Sequence, residues 1–274
     1  MKKFAVIGSP ISHSFSPKIH SEFAKNSDLK ITYDAIEVKK NNFEKRIKEL
    51  FDGGYEGINV TLPLKELAYK FADEVSELGK IVGAANTLWR QENKIFADTT
   101  DGRGLVQDLE NNSLPLEKSS ILLIGAGGSA RSILPSIISR KPKEITIINR
   151  TERKAESLVK LFSTKNIPMK SSGLNKANDN VFSGIINTSS AGMLGEEILL
   201  PTGIFNSVKW TYDLSYSLQT TPFNLLVKKN GVSNYFDGLG MLVHQAAISF
   251  EIWTGIKPDT TRVIDYLKHK KVNL

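Results

Sequence analysis

The amino-acid sequence predicts an α/β fold, and two observations indicate it. Ile121–Ile124 is a continuous apolar run, typical of a parallel strand that is covered on both faces. A glycine turn and a segment of helical periodicity follow it, and a second apolar run, Glu144–Ile148, completes a strand–helix–strand unit. Because a chain of 274 residues is longer than most single domains, we expect a second α/β domain before this unit.

The turn after the first apolar run has the pattern G-x-G-x-x-A. Where a strand leads into a helix, Gly125 would make the tight turn, Gly127 would let a pyrophosphate approach the backbone, and Ala130 would allow close helix packing. The free N–H groups and the dipole at the helix N-terminus favour such an anion. The predicted turn residues of a dinucleotide site are Gly125, Ala126, Gly127, Gly128, Ser129 and Ala130.

The end of the second strand predicts which dinucleotide is bound. An NAD site would carry an acidic residue there, whereas this chain has Asn149, Arg150 and Thr151, with Lys154 one turn later. A guanidinium can bind a 2′-phosphate that an acid would repel. We therefore predict NADP(H) as the cofactor. The alternative for Arg150 is an ordinary solvated surface charge.

Composition excludes several classes of function. The 36 Lys and Arg against 29 Asp and Glu give a net charge of +7 that is spread along the chain, which favours anionic ligands but is weak support for nucleic-acid binding. With no cysteine, the chain has no disulfide and no thiolate metal site, and the four histidines lack companions at metal-ligand spacing. The first apolar run, Phe4–Ile7, is too short for a signal peptide, and no segment suits a membrane span, so we expect a cytoplasmic location.

The N-terminal region begins with a strand over Phe4–Ile7 and a polar loop, after which Pro17 can open a helix. Ser14 and Ser16 lie just before the free N–H groups of that helix, a placement that suits a small carboxylate. The alternative is that Ser16 is simply the N-cap. Further along, we predict a strand over Ile31–Val38 and a helix over Asn42–Phe51.

A predicted strand over Ile58–Leu62 places Asn59 and Thr61 on one face, where two polar groups need partners. Pro63 is predicted to lie in the first turn of the next helix, and Lys65 with it. The helix dipole disfavours a cation there, which suits a lysine that exchanges a proton. The alternative is a lysine paired with its neighbour or with solvent.

A polar cluster over Ala97–Gly102 contains a candidate carboxylate, Asp101. Gly102 and Gly104 predict a turn that leads into a helix over Leu105–Leu109. Taken alone, Asp101 would be an N-cap or a turn aspartate.

The second half of the chain continues the alternation of strands and helices. Pro135 should bend the helix after the glycine turn. The loop Thr188–Met193 follows a buried strand, and it should border the nicotinamide, because ligands of such sheets lie beyond the carboxyl ends of the strands. The remaining predicted elements are helices over Arg153–Phe162 and Pro222–Lys229, strands over Ser183–Asn187 and Lys209–Leu214, and a long helix that ends near Trp253.

Several motifs, in this order and spacing, closely resemble shikimate dehydrogenase. They are Ser14–Pro17, Asn59–Lys65, Gly83–Thr87 and Thr100–Gly102, and the resemblance continues through the glycine turn and Asn149–Thr151 to Asp237–Gln245. It covers nearly the whole chain. The resemblance implies an enzyme that reduces 3-dehydroshikimate with NADPH in aromatic amino-acid biosynthesis.

The resemblance also implies a domain organisation and a set of site residues. Residues 1–101 and about 240–274 would form a discontinuous substrate-binding domain to which the C-terminal helices return, and 102–239 a Rossmann-type NADP-binding domain. Lys65 and Asp101 would be the catalytic pair. The implied substrate-binding residues are Ser14, Ser16, Asn59, Thr61, Asn86, Tyr216 and Gln245. The further cofactor-binding positions are Thr188, Leu214, Gly238 and Met241.

Thr99 departs from the family, which usually has Asn before Thr-Asp-Gly, so loop rigidity or substrate affinity is expected to differ. Three alternative functions remain: an NAD-linked quinate/shikimate dehydrogenase of broader range, a noncatalytic NADPH- or shikimate-binding regulator, and a nucleic-acid binder. Arg150 argues against the first, Lys65 and Asp101 against the second, and the lack of a basic-aromatic stripe against the third. We expect a monomer or a homodimer.

Overall fold

The computed structural model describes residues 1–176, 181–189, 191, 199–217 and 219–272. Within the loop predicted to border the nicotinamide, Ser190, Gly192 and Met193 lie outside the described residues. The chain forms two compact units. The first contains Met1–Gly104 and Leu242–Lys270, and the second is built on Leu105–Met241. Strands alternate with helices in both, which confirms the predicted α/β class.

The first unit contains a mixed six-stranded sheet. Its strands are β1 Lys2–Gly8, β2 Ile31–Glu37, β3 Tyr55–Val60, β4 Glu74–Val75, β5 Thr87–Gln91 and β6 Lys94–Asp98. They lie in the order β2-β1-β3-β5-β6-β4, with β1 parallel to β2 and β3, and β5 antiparallel to β3 and β6. Because β1 and β3 are parallel, the loops that carry Ser14 and Thr61 leave the sheet at the same edge.

The helices of the first unit bury apolar side chains that recur at helical spacing. In α2, for example, Phe43, Ile47 and Leu50 are buried in the core. The first four helices are α1 Ser16–Asn26, α2 Phe43–Asp52, α3 Lys65–Phe71 and α4 Glu77–Val82. The boundaries between the units fall inside α5 Asp101–Asn111 and α9 Leu239–Thr254, and α10 Thr260–Val272 follows.

The second unit contains a six-stranded sheet in which all neighbours are parallel. Its strands are β7 Ser120–Ile124, β8 Glu144–Asn149, β9 Met169–Gly173, β10 Gly184–Asn187, β11 Trp210–Asp213 and β12 Tyr235–Asp237. The order β12-β11-β10-β7-β8-β9 reverses between β7 and β10, and such a reversal is where doubly wound sheets bind ligands. The helices are α6 Gly128–Ser139, α7 Glu152–Phe162 and α8 Pro222–Lys229.

Helix α6 continues through Pro135. Ile133, Leu134 and Ile137 are buried, and this packing offsets the backbone hydrogen bond that proline cannot make.

Two predicted element boundaries in the first unit are wrong. Strand β3 ends at Val60, so Thr61 lies in the loop that follows it. Helix α3 begins at Lys65, and Pro63 precedes the helix after a cis peptide bond. Lys65 nevertheless occupies the first helical position, as predicted.

The turn predicted after Asp101 is also wrong, because α5 begins at Asp101 itself and includes Gly102 and Gly104. A side chain at position 104 would lie 2.6 Å from the backbone nitrogen of Gln245. Gly104 therefore serves close packing between α5 and α9, and not a turn. Among the described residues, no helix combines the length and the apolar character needed to cross a membrane.

Candidate functional site

In the first unit, Lys65 and Asp101 form an ion pair. Each is the first residue of its helix, Lys65 of α3 and Asp101 of α5. The Lys65 Nζ lies 2.6 Å from Asp101 Oδ2, and the side chains are 24% and 9% exposed. The dipole at a helix N-terminus favours the negative charge of Asp101 and disfavours the positive charge of Lys65. The ion pair with Asp101 offsets the unfavourable effect on Lys65. The pair holds a transferable proton where it is largely shielded from water.

Asn86, directly before β5, provides a donor to the other oxygen of the Asp101 carboxylate. Its Nδ2 lies 3.0 Å from Asp101 Oδ1, 2.8 Å from Thr100 Oγ1 and 3.1 Å from Gln245 Oε1. Its Oδ1 accepts the backbone N–H of Thr100 at 2.9 Å. The side-chain amide is therefore oriented with its N–H groups towards the carboxylate.

Gln245 joins this group from α9. Its Oε1 accepts from Asn86, and its Nε2 donates to the carbonyl of Leu242 at 2.8 Å. Gly104 permits the close approach, because any larger residue would collide with the Gln245 backbone. The structure thus brings four of the predicted residues together: Lys65, Asp101, Asn86 and Gln245.

Asn59 is buried, and both ends of its side-chain amide have partners. The Tyr33 hydroxyl donates to its Oδ1 at 2.7 Å, and its Nδ2 donates to the Asn86 carbonyl at 3.1 Å and to Ser249 Oγ at 3.0 Å. Asn59 is therefore connected to Asn86, whereas its contact with a substrate stays a prediction. Thr61 is half-buried in the loop after β3.

The two predicted carboxylate-binding serines lie at the start of α1. Phe15 occupies the N-cap position and Ser16 the first helical position, so the alternative of Ser16 as the cap is wrong. The Ser16 N–H donates to Ser14 Oγ at 3.2 Å, and no acidic residue lies in the first turn. Burial raises the pKa of the Tyr33 phenol, and a hydrogen bond with the Ser16 side chain opposes this shift. Ser16 thus lies beside the tyrosine that binds Asn59.

In the second unit, the glycine turn between β7 and α6 has the geometry of a phosphate site. Gly125 has φ +101°, and a side chain there would lie 2.6 Å from Thr188 Oγ1, so position 125 requires glycine. A Cβ at Gly127 or Gly128 would meet no atom within 4 Å. The first turn of α6 contains no acidic residue. The open space and the helix N-terminus therefore fit an anionic pyrophosphate.

The end of β8 is basic and is linked to this turn. Asn149 Oδ1 accepts the N–H of Ala126 at 3.2 Å, and its Nδ2 donates to the carbonyl of Thr151 at 2.9 Å. Arg150 and Lys154 are exposed. Glu152, the next residue but one after Arg150, is paired with Lys176 at 2.8 Å, and this hydrogen bond lowers the pKa of Glu152. The residues of this region fit the 2′-phosphate of NADP(H).

Sequence reasoning missed two polar residues at the ends of adjacent strands, Asn187 of β10 and Asp213 of β11. Asn187 Nδ2 donates to Asp213 Oδ1 at 3.0 Å, and both side chains are buried. Asn187 Oδ1 accepts the N–H and the hydroxyl of Ser189, and Asp213 Oδ1 accepts the N–H of Ser215. Burial raises the pKa of Asp213. The pair therefore holds the two loops that carry Thr188 and Leu214.

The remaining predicted positions lie in the second unit, on loops except for Met241, which lies in the first turn of α9. A side chain at Gly238 would collide with the carbonyl oxygen of Leu214, so these two residues are in contact. The Met241 N–H donates to the Tyr212 hydroxyl at 3.2 Å. Tyr216, predicted to bind substrate, is half-buried in this unit, and burial raises its pKa. Its role at the substrate stays a prediction.

Three family models match the chain. The model of the shikimate dehydrogenase substrate binding domain matches residues 6–88, that of shikimate / quinate 5-dehydrogenase matches 108–193, and that of the shikimate 5'-dehydrogenase C-terminal domain matches 238–265. The matched ranges include Lys65 and Asn86, the glycine turn with Asn149–Thr151, and Gln245.

Individual proteins are similar over nearly the full length. The shikimate dehydrogenase (NADP(+)) of Psychromonas ingrahamii is 42% identical over 274 residues, 98% of each chain. The crystal structure of an Ael1 enzyme from Pseudomonas putida is 35% identical with a TM-score of 0.91, over 97% of this chain and 98% of that one. The crystal structure of the shikimate 5-dehydrogenase of Thermus thermophilus, in complex with NADP(H) and shikimate, is 30% identical with a TM-score of 0.87. The match covers 99% of this chain and 100% of that one.

Proposed function

The chain belongs to the shikimate dehydrogenase family, and on this premise we propose that it catalyses the reversible NADPH-dependent reduction of 3-dehydroshikimate to shikimate. The observation that carries the proposal is the Lys65–Asp101 pair, 2.6 Å apart and largely shielded from water. Reduction of a ketone needs a hydride at carbon and a proton at oxygen. Bound NADPH would supply the hydride.

Lys65 would supply the proton. One N–H of its ammonium is directed to Asp101, and the remaining N–H groups are available to the substrate oxygen. As negative charge develops on that oxygen, the ammonium would stabilise it and transfer a proton. Asp101 would orient Lys65, and its carboxylate would balance the positive charge of the ammonium. In shikimate oxidation, the reverse reaction, the same pair would accept the proton.

Polar residues around the pair would orient the ring. Asn86 and Gln245 present amide groups beside Asp101, which suit the hydroxyls of a polyol. Ser14 and Ser16, at the start of α1, would bind the carboxylate, with Thr61, Asn59 and Tyr216 as further proposed contacts. Misplacement of the ring by about 1 Å would cost on the order of 10²-fold in rate, so these contacts matter for catalysis as well as for affinity.

The second unit would hold the cofactor. Gly125–Ala130 would bind the pyrophosphate, and Asn149, Arg150, Thr151 and Lys154 would bind the 2′-phosphate and its ribose. Thr188, Leu214, Gly238 and Met241 would lie at the nicotinamide end. The guanidinium of Arg150 and the ammonium of Lys154, beside a Glu152 that is paired with Lys176, support NADP(H) over NAD(H).

The test is a coupled assay with shikimate and quinate, each with NADP⁺ and NAD⁺, that follows the absorbance of the reduced cofactor. We expect turnover with shikimate and NADP⁺. Faster turnover with quinate and NAD⁺ would favour the broader enzyme, and no turnover with tight shikimate binding would favour the regulator. We further propose a cytoplasmic location, where biosynthesis draws on NADPH, and a monomer or homodimer, which fractionation and sedimentation would test.

A further inference from the structure

Two buried hydroxyl groups of the first unit, Thr87 on β5 and Ser249 on α9, contact each other. Their oxygens are 2.7 Å apart, and both residues are 0% exposed. They are 162 positions apart in sequence. A buried hydroxyl without a hydrogen-bond partner lowers stability, so we expect both of these hydroxyls to take part in hydrogen bonds.

The hydrogen bonds of these hydroxyls form a chain with one direction. The Tyr33 hydroxyl donates to Asn59 Oδ1, and Asn59 Nδ2 donates to Ser249 Oγ. Thr87 Oγ1 donates its single proton to Asn86 Oδ1 at 2.9 Å, so Ser249 is the donor between the two hydroxyls, and its proton is shared between Thr87 Oγ1 at 2.7 Å and the Gln245 carbonyl at 3.2 Å.

The chain ends at the acid/base pair. Asn86 donates its N–H to Asp101 Oδ1, and Lys65 donates to Asp101 Oδ2. If the Asn86 amide were reversed, its oxygen would face the carboxylate and repel it. The Thr87 hydroxyl, the backbone N–H of Thr100 and, at 3.2 Å, the Thr100 hydroxyl donate to the Asn86 oxygen and hold it away from the carboxylate.

We propose that Thr87, Ser249 and Tyr33 are positioning residues for the reaction proposed above. They act through Asn59 and Asn86, and they orient the Asn86 amide towards Asp101 and the substrate. This inference rests on the proposed function. Hydrogen bonds in a buried chain strengthen one another, so the loss of one hydroxyl should weaken the hydrogen bond between Asn86 and Asp101 at the end of the chain.

The substitutions Thr87→Val and Thr87→Ser separate the hydroxyl from the shape of the side chain. Valine keeps the shape and removes the hydroxyl, whereas serine keeps the hydroxyl and loses a methyl group. The loss of a net hydrogen bond of about 1.4 kcal/mol predicts that Thr87→Val raises the dissociation constant of shikimate about tenfold. The kcat should fall as well, because the Asp101 carboxylate is misplaced.

Thr87→Ser should remain within about threefold of the wild type in shikimate affinity and in kcat, because serine keeps the hydroxyl that donates to Asn86. The KM for NADP⁺ should be unchanged in both variants. A partial loss of folding would lower the apparent kcat alone, so a selective rise in the shikimate dissociation constant distinguishes the proposed role from it. Calorimetry with shikimate alone and steady-state kinetics give these readouts. If Thr87→Val does not fold, Ser249→Ala replaces it, with the same selective loss expected.

Thr211→Val is the matched control. Thr211 is also 0% exposed, and its hydroxyl has no hydrogen-bond partner among the described residues, so its removal should leave shikimate affinity unchanged. A Thr87→Val enzyme equal to the wild type would overturn the proposal, as would equal losses in the valine and serine variants. If the wild type itself does not oxidise shikimate, the proposed function fails instead. These failures are therefore distinguishable.

Discussion

Replacement of Lys65 by alanine tests the proposed chemistry most directly. The substitution removes the ammonium that lies 2.6 Å from Asp101 and leaves Asn86 as a side-chain donor to that carboxylate. The substrate oxygen would then lose the group that neutralises it during reduction. A positioned general acid contributes about 10²–10⁴-fold, so we expect kcat to fall by about 10³-fold, which corresponds to about 4 kcal/mol.

Shikimate binding should change much less than turnover. Lys65 would provide one contact to a single oxygen of the substrate, whereas Asn86, Gln245 and the serines of α1 remain. Loss of one charge-assisted hydrogen bond of about 1.5 kcal/mol raises the dissociation constant only about tenfold. The expected signature is therefore a large fall in kcat with a small change in affinity.

The assay follows NADPH formation at saturating shikimate, with shikimate affinity measured by calorimetry. Lys70→Ala is the matched control, because Lys70 lies on the same short helix and is exposed. Thermal unfolding shows whether the unpaired Asp101 has damaged the fold. A Lys65→Ala enzyme whose kcat stays within about tenfold of the wild type, well short of general-acid magnitudes, would refute the reasoning.

Three further predictions follow from individual groups. Arg150→Ala should raise the KM for NADPH about tenfold or more, with the KM for NADH unchanged, because the proposed charge-assisted hydrogen bond to the 2′-phosphate would be lost; equal effects would contradict this. Burial lowers the pKa of His20 from 6.5 to about 3 in the folded protein. As the pH falls from 6.5 to 3, His20 therefore gains a proton in the unfolded chain but not in the folded protein, and the free energy of unfolding decreases. Urea unfolding should show the free energy of unfolding falling about 2 kcal/mol more between pH 7 and pH 5 in the wild type than in His20→Gln. Asp213→Ala should weaken NADP⁺ binding by calorimetry and spare shikimate binding, because it releases the loops held with Asn187; the reverse pattern would contradict the assignment.

The α/β class could be predicted from sequence because it depends on local patterns. Continuous apolar runs such as Ile121–Ile124 can be accommodated only in strands covered on both faces, and the structure places this run in a central parallel strand. Gly125 could be identified for the same reason, since its positive φ and its closeness to Thr188 exclude a side chain. The apolar run and the glycine turn are both visible within a few residues of sequence, although the contact of Gly125 with Thr188 is not.

The polar residues that hold the candidate sites could not be predicted in this way. Thr87, Ser249 and Asp213 lie in elements that mix apolar and polar residues, and no periodic pattern distinguishes them from their polar neighbours. Their partners are distant in sequence, as with the 162 positions between Thr87 and Ser249. Asp213 gains its partner from the end of a neighbouring strand, Asn187, which is known only once the strand order is known.

The start of α5 shows how tertiary packing reverses a local rule with a consequence for function. Two glycines after Asp101 predict a turn, but Gly104 is helical because it allows α5 to approach Gln245. Asp101 is thereby the first residue of a helix of 11 residues, where the dipole favours its negative charge. The same contact brings Gln245 to Asn86, which donates to Asp101. One glycine therefore supports both the charge of the carboxylate and the amide that orients it, so a larger residue at position 104 should impair catalysis through both.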